Sequence, residues 1–125
     1  MSLAIVSGSG GLIGSEAVRF LACKGFDVIG IENDMRRYFF GDEATTLPNQ
    51  QRLLREYPNF KSHMIDIRDA EALDKLFAEH KGCVDFVIHT AAQPSHDWAA
   101  REPFTDFHVN ATGTLNMLEA TRKHS

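Results

Sequence analysis

Four glycines lie within seven residues near the start of the chain, in the segment AIVSGSGGLIGSEAVRF (4–20). The short apolar run 3–7 comes before them and predicts a buried strand, whereas apolar residues at helical spacing follow them. Glycine loses more conformational freedom on folding than any other residue, so four together are costly unless the geometry requires them. The chain must therefore turn from strand to helix here with very little side-chain bulk.

A second strand follows this turn and helix. Ile13, Ala17, Phe20 and Leu21 recur at helical spacing, and Gly25 supplies a helix stop signal. Residues 26–32 return to an apolar, strand-like run. A strand, a helix and a strand over about 30 residues form a βαβ unit, whose crossover is right-handed in nearly all proteins.

The rest of the chain continues this alternation. Residues 33–59 are polar and irregular, with a short helix expected around 49–56. A third strand is predicted at 61–67, a helix with Asp69 as its N-cap follows, and a fourth strand is predicted at 84–90. The last helix begins at Pro103, and its core-facing residues are predicted to be Phe104, Phe107, Ala111, Leu115 and Leu118.

Strands that alternate with helices predict an α/β fold with a Rossmann-like, doubly wound parallel sheet. Four strands would take the order 3-2-1-4, with a ligand crevice between strands 1 and 4. We expect residues 1–125 to form one domain, the N-terminal part of a larger enzyme whose substrate domain is absent. The fourth strand would be an exposed apolar edge, so we expect the 125-residue chain to dimerise through that edge or to aggregate.

The spacing Gly8-x-x-Gly11-x-x-Gly14 at a strand-to-helix turn is typical of a site for a dinucleotide diphosphate. No Gly-Lys-Ser/Thr follows, which disfavours a P-loop. Glu32 ends the second strand, where a carboxylate accepts hydrogen bonds from both ribose hydroxyls of NAD and repels the 2′-phosphate of NADP. Arg36 and Arg37 are the counter-argument, because guanidinium groups pair with phosphate.

Five segments of the chain, in order and at the expected distances, resemble the N-terminal half of the NAD-dependent epimerase/dehydratase family. These extended short-chain dehydrogenases act on nucleotide sugars, and the matching segments are VSGSGGLIGSEAVRFL (6–21), IEND (31–34), DIRD (66–69), VIHTAAQ (87–93) and VNATGTLNMLEA (109–120). Within the family, IEND and the loop AAQPSHDWAAREP (91–103) look most like the CDP-paratose/CDP-tyvelose 2-epimerase branch.

The resemblance implies that NAD is the cofactor and that a nucleotide sugar is the substrate of the full-length enzyme. The diphosphate would lie against Gly8, Gly11, Leu12, Ile13 and Gly14. The adenosine half would contact Glu32, Asn33, Asp66 and Ile67. The nicotinamide half would lie near Thr90, Ala91, Ala92 and Gln93, and Asn110 would hold main chain beside the active site. Asp66 has an alternative interpretation as an acid that pairs with Arg68, and Asn110 as a polar residue on an exposed turn.

The chain departs from the family where catalysis is concerned. The family uses a Tyr-x-x-x-Lys pair whose tyrosine acts as general base, with hydride transferred to and from bound NAD. Tyr57 and Lys61 match that spacing by letters, but they span a proline-containing loop into the third strand, so we reject them as catalytic. No catalytic residue is assigned, and the chain alone is expected to be inactive. A non-catalytic dinucleotide sensor or regulatory module remains the alternative function.

Composition excludes several other classes of function. The chain has a formal charge of −4 and no basic cluster of the kind that binds nucleic acid. No apolar run is long enough to span a membrane. The six histidines show no metal-ligand spacing, so no metal site is expected. The two cysteines lie far apart in sequence, which favours reduced thiols and a cytoplasmic protein.

Overall fold

A computed structural model of the chain describes residues 2–125. Its sheet has four parallel strands in the order β3-β2-β1-β4, so the predicted α/β class and strand order are confirmed. Leu3 pairs with Asp27 on one side and with Val84 on the other. The strands are β1 (Leu3–Ser7), β2 (Asp27–Glu32), β3 (Phe60–Met64) and β4 (Val84–His89).

Helices connect the strands and cover both faces of the sheet. Two irregular helical turns occur, a 3₁₀ turn at Asp42–Ala44 and a π-helical turn at His108–Thr112. The helices are α1 (Leu12–Cys23), α2 (Met35–Phe40), α3 (Leu47–Glu56), α4 (Ala70–Glu79), α5 (His96–Arg101), α6 (Pro103–Phe107) and α7 (Gly113–His124).

The third strand is shorter than predicted. It ends at Met64 instead of Ile67, because the Asp66 carboxylate accepts a hydrogen bond from the N–H of Arg68 and turns the chain. Asp69 then caps α4 as predicted, since its side chain accepts from the N–H of Ala72. The segment 65–69 therefore forms a tight corner at the carboxyl end of β3.

The core has one half on each side of the sheet. On one side, Ile5, Ile29 and Ile31 of the strands pack with α4 and α7; on the other, Ala4, Val6 and Val28 pack with α1 and α3. Burial on both faces explains why β1 and β2 are almost continuously apolar in sequence. β4 is the exception, because only one of its edges is paired and Phe86 keeps 37% of its surface exposed.

The predicted inward face of the last helix is wrong. Phe104, Phe107, Leu115 and Leu118 are 58–79% exposed and Ala111 is also exposed, whereas Val109, Gly113, Met117 and Ala120 are buried. Gly113 shows the reason, because a Cβ there would lie 2.5 Å from Cδ1 of Ile67. The helix approaches the core through its small side chains, so its larger apolar residues lie on the outside.

Candidate functional site

A cavity of about 240 Å³ opens at the carboxyl end of the sheet, above the turn between β1 and α1. Every residue that the sequence nominated for the site lines this cavity except Gln93 and Asn110. Nine other residues also line the cavity; four of them belong to α2, only Pro94 comes from the loop after β4, and apart from Arg36 none was expected from the sequence. They are Ile31, Met35, Arg36, Phe39, Phe40, Thr46, Ile65, Pro94 and Val109.

The glycine turn is closely packed against the end of β4. Gly8 has φ +69°, which side chains rarely adopt, and a Cβ there would lie 2.6 Å from Oγ1 of Thr90. A Cβ on Gly14 would overlap the carbonyl group of Gly8. Both glycines are therefore required by the protein's own packing, which brings the start of α1 directly onto the turn.

Gly11 differs, because its φ does not require glycine and its packing is less tight than that of Gly8 or Gly14. It has φ −76°, and a Cβ there would meet only the carbonyl oxygen of Gly8, at 3.3 Å. Gly11 is the N-cap of α1, the cap has no side-chain hydrogen bond, and the first turn holds no acidic residue. Free N–H groups and the positive end of the helix dipole thus border the cavity, an arrangement that suits a phosphate group.

The Glu32 carboxylate is directed at this turn. Its Oε2 accepts a hydrogen bond from the N–H of Gly10, and its Oε1 accepts one from the N–H of Asp34, both at 3.0 Å. Burial raises the pKa of Glu32, and hydrogen bonds from the main-chain N–H groups of Asp34, Gly10 and Asn33 only partly offset this effect. Each oxygen of an ionised carboxylate has two lone pairs, so Glu32 retains acceptor capacity towards the cavity.

Asp66 also lines the cavity, but its charge is neutralised within the chain. The Arg68 guanidinium makes a bidentate contact with it, with Nη2 lying 2.6 Å from Oδ2. Burial raises the pKa of Asp66, but its hydrogen bonds from Arg68 outweigh burial, and the net effect is a lowered pKa. Asp66 therefore pairs with Arg68, which was its alternative interpretation, and it also lines the cavity.

Thr90 and Ala91 are held in place by the end of β1. The hydroxyl oxygen of Ser7, which is fully buried, accepts from the N–H groups of Thr90 (3.1 Å) and Ala91 (3.2 Å). The Thr90 hydroxyl in turn donates to the carbonyl oxygen of Ser7 at 2.7 Å. The small residues of this loop thus form a fixed floor beside the glycine turn.

His89 links this floor to the last helix. Its Nδ1 is hydrogen-bonded to Oγ of Ser7, and its Nε2 lies 3.1 Å from Oγ1 of Thr114. Thr114 donates its own proton to the carbonyl oxygen of Asn110, so Nε2 of His89 must be the donor and Nδ1 the acceptor. Burial lowers the pKa of His89, which favours this neutral form.

Gln93 is not among the residues that line the cavity. Its side chain is 4% exposed; Nε2 donates to the carbonyl oxygen of Ser95 and to Oδ1 of Asp106, and Oε1 accepts from the N–H of Ser95. The amide is satisfied within its own loop and does not reach the cavity. The Asn110 side chain holds the main chain of Gln93. Its Oδ1 accepts from the N–H of Gln93 at 2.8 Å, and its Nδ2 donates to the carbonyl oxygen of Gln93 at 3.0 Å. The resemblance implied a main-chain contact of this kind.

Helix α2 forms the wall of the cavity that the sequence analysis missed. It starts after Asp34, which has φ 58° and whose carboxylate accepts from Thr45 and Thr46. Trp98 fastens α2 from the other side, because its Nε1 donates to the carbonyl oxygen of Phe39. The i, i+4 spacing of Met35 with Phe39 was the available signal, since it gives one apolar face to a short helix.

Other candidate groups lie away from the cavity. The Tyr57 hydroxyl accepts from Sγ of Cys23 at 3.7 Å, on the α1 side of the sheet, and neither Tyr57 nor Lys61 lines the cavity. Cys23 and Cys83 are both free and exposed. Within residues 2–125, no group of three or more metal-ligating side chains is found, and no helix is both long enough and apolar enough to cross a membrane.

Comparison with protein families identifies one that matches nearly the whole chain. The model of the NAD dependent epimerase/dehydratase family matches residues 4–125. Among curated proteins, a UDP-glucose 4-epimerase of Drosophila melanogaster is 34% identical over 117 residues, which cover 93% of this chain and 32% of that protein. The chain thus spans about a third of the length of the curated relatives it matches.

Solved structures agree with this similarity. A UDP-glucose 4-epimerase of Thermotoga maritima, solved with UDP-glucose, superposes with a TM-score of 0.79 at 29% identity, covering 98% of this chain and 35% of the other. A UDP-glucose 4-epimerase of Thermus thermophilus, solved in complex with NAD, gives a TM-score of 0.76 at 29% identity, with 98% and 34% covered.

Proposed function

Since the chain belongs to the NAD-dependent epimerase/dehydratase family, we propose that it is the NAD-binding part of a nucleotide-sugar epimerase or dehydratase. The observation that carries this proposal is the cavity in which the uncapped start of α1 and the Glu32 carboxylate both border the same space. A dinucleotide carries both a diphosphate and a ribose diol. The start of α1 suits the diphosphate, and the Glu32 carboxylate suits the ribose diol.

The residues present fit NAD. A Cβ placed on Gly11 would have only a main-chain oxygen within 4 Å, so a diphosphate approaching this glycine would meet N–H groups without a side chain of residue 11 between them. Glu32 would accept the hydroxyls of the adenosine ribose, with Asn33, Asp66 and Ile67 beside the adenine. Thr90, Ala91 and Ala92 would lie under the nicotinamide half, where only small side chains leave room.

When bound, the nicotinamide would take a hydride from a sugar carbinol and return it after epimerisation or elimination. The residues described here would bind and orient the cofactor and keep the loop after β4 in position through Ser7 and Asn110. In residues 2–125 no tyrosine–lysine pair lies at the cavity. We therefore propose that the general base comes from polypeptide outside this chain, as does the sugar-binding region.

Titration calorimetry with NAD tests the proposal directly, on the protein expressed from its full coding sequence. We expect saturable binding of one NAD per chain, followed by turnover of a UDP- or CDP-linked sugar. NAD binding with no turnover of any nucleotide sugar would favour the sensor function instead. Absence of NAD binding would contradict both. The CDP-sugar branch and the UDP-sugar branch are distinguished by which nucleotide competes for the substrate site.

Self-association is a second expectation, and it concerns β4. That strand has one unpaired edge, and Phe86 and Val87 on it are only partly buried. We propose that the 125-residue chain, expressed by itself, forms a homodimer through this edge, because an open apolar edge readily pairs with a second copy. Light scattering that showed a stable monomer would contradict this. We also propose a cytoplasmic location, which the free thiols of Cys23 and Cys83 support.

A further inference from the structure

Gly10 lies in the middle of the glycine turn, and the protein holds its main chain on both sides. Its N–H donates to Glu32 at 3.0 Å, and its carbonyl oxygen accepts from Nδ2 of Asn49 at 2.9 Å. The next N–H, that of Gly11, donates to the carbonyl oxygen of Gly8 at 3.0 Å. The peptide group between Gly10 and Gly11 therefore has one partner for its C=O and another for its N–H, which together fix its orientation.

Asn49 lies in the first turn of α3 and does not line the cavity. Its neighbours determine which end of the amide is the donor, because the Gly10 carbonyl group only accepts and the Arg19 guanidinium only donates. Nη2 of Arg19 lies 3.4 Å from Oδ1 of Asn49, and Nη1 of the same guanidinium pairs with Glu16 at 3.0 Å. Asn49 thus directs an N–H donor at the glycine turn from outside the cavity.

The start of α3 also packs directly against Gly10. A Cβ on Gly10 would lie 2.8 Å from Cγ of Gln50 and 2.9 Å from Cβ of Thr46. Gln50 is buried; its Nε2 donates to Oγ1 of Thr46, and its Oε1 accepts from the hydroxyl of Ser62 on β3. The donor on Asn49 is therefore carried by a helix end that is anchored to the sheet.

The direction of the Gly10 carbonyl group matters for an anion bound at the start of α1. A peptide group has its negative end at the carbonyl oxygen, so a carbonyl group turned towards a diphosphate repels it, whereas N–H groups attract it. Gly10 does not line the cavity, and Asn49 occupies its carbonyl oxygen. The neighbouring cavity wall at Gly11 is therefore left to the N–H groups of the uncapped helix.

We propose that Asn49 is a positioning residue for the cofactor diphosphate, because it holds the Gly10 carbonyl group away from the phosphates. This rests on the proposed function. Asn49 acts through the main chain of Gly10 and does not touch the ligand. Glu32 bonds to the N–H of Gly10, which belongs to the preceding peptide group, so loss of the Asn49 contact leaves the adenosine end in place. The effect is therefore confined to ligands that carry a diphosphate.

The test compares NAD, ADP-ribose and adenosine as ligands of the protein expressed from its full coding sequence. Asn49→Leu keeps the size of the side chain and removes its donor without adding a charge. The affinities for NAD and ADP-ribose should fall about fivefold or more, whereas that for adenosine, measured by competition calorimetry, should stay within about twofold. In protein labelled with 15N-glycine, the amide resonance of Gly11 should also shift, because its peptide group is no longer held.

Asn59→Leu is the matched control. The Asn59 amide also donates to main-chain carbonyl oxygens, those of Ala22 and Phe26, but Asn59 does not line the cavity. This variant should lower the urea midpoint and leave all three affinities within about twofold. The Gly11 resonance should stay where it is in the unchanged protein.

Asn49→Asp serves where Asn49→Leu does not fold, because the carboxylate still accepts from Arg19 but offers Gly10 no donor. It should show the same difference between NAD and adenosine, and the difference should persist at about 0.5 M salt, which screens the added charge. Equal losses for NAD and adenosine, or no loss for either, would overturn the inference. No binding of NAD by the unchanged protein would instead be a failure of the proposed function.

Discussion

The Glu32 carboxylate and the main-chain N–H of Gly10 are joined by a 3.0 Å hydrogen bond, which ties the end of β2 to the turn after β1. The glycine turn and Glu32, to which we assign different portions of a dinucleotide, are therefore fixed relative to each other by the protein itself. A change at either residue should alter the other's position as well as its own contact.

Cofactor affinity should depend on the protonation of Glu32. Burial raises the pKa of this carboxyl above its ordinary value of 4.5. The affinity for NAD should therefore fall as the pH drops through that raised value, because an ionised carboxylate can accept hydrogen bonds from both ribose hydroxyls, whereas a protonated carboxyl is a weaker acceptor. Calorimetric titrations at a series of pH values check this, and Glu32→Gln should bind about tenfold more weakly with a flatter pH profile. Equal slopes in the two proteins would contradict it.

The stability of the unbound protein should respond to the same group with the opposite sign. A carboxyl whose folded pKa is raised binds protons more readily when folded, so its stabilising effect is complete below about pH 4.5 and is lost as the pH rises through the folded pKa. NAD binding is thus favoured by the ionised form of Glu32, whereas the stability of the unbound protein is favoured by the protonated form.

Gly11→Ala should separate binding from folding. Its φ of −76° suits alanine, and the Cβ would lie 3.3 Å from the Gly8 carbonyl oxygen, a tight contact that a shift of a few tenths of an ångström relieves, so the free energy of unfolding should change by less than about 1 kcal/mol. The methyl group would stand where a diphosphate approaches, so NAD affinity should fall about tenfold or more. Calorimetry and urea unfolding measure the two quantities.

Gly82→Ala is the matched control for that variant. Gly82 has φ +74° and lies far from the cavity lining, so alanine there should reduce stability by about 1 kcal/mol and leave NAD affinity unchanged. If Gly11→Ala behaved like Gly82→Ala, the cavity above Gly11 would not be the diphosphate site.

Trp98→Phe should loosen the wall formed by α2. The variant keeps an aromatic ring but loses the Nε1–H that donates to the carbonyl oxygen of Phe39. We expect a loss of about 1 kcal/mol in stability and a several-fold loss of NAD affinity, because Met35, Arg36 and Phe40 would no longer be held at the cavity. Phe20→Leu, at an exposed site on α1, should change neither quantity. Unchanged affinity in Trp98→Phe would show that the wall is positioned by other contacts.

His89 should make the protein sensitive to mild acid. Burial holds its folded pKa below the ordinary value of 6.5, so its stabilising effect is present above that value and is lost as the pH falls towards the folded pKa. A protonated ring would also need an acceptor at Nδ1, where Ser7 now donates. Because Glu32 acts in the opposite direction, the test is a difference between proteins: as the pH falls from about 7.5 to about 5, the urea midpoint of His89→Gln should rise relative to that of the unchanged protein.

The sheet order and the glycine turn could be predicted because both depend on local pattern. Apolar runs separated by helical periods specify parallel strands, and the spacing of Gly8, Gly11 and Gly14 places a bare turn at a known point in that fold. Glu32 was predictable for the same reason, because it is the last residue of a strand whose end must face the turn.

The remaining features depend on contacts between distant segments. Periodicity identifies an apolar stripe on the last helix but not which of two faces is buried, and the small Gly113 decided that against Leu115 and Leu118. The contacts of Gln93 could not be predicted because one of its partners, Asp106, lies 13 residues further along the chain. The α2 wall depends on Trp98, 59 residues beyond the carbonyl group of Phe39 to which it donates.

Asp34 has a left-handed backbone conformation, and the Thr45 and Thr46 hydroxyls hold its carboxylate. That arrangement shapes α2 without help from a ligand. Association with NAD should consequently be a single kinetic phase whose observed rate rises linearly with concentration, with no slower closing step to limit it.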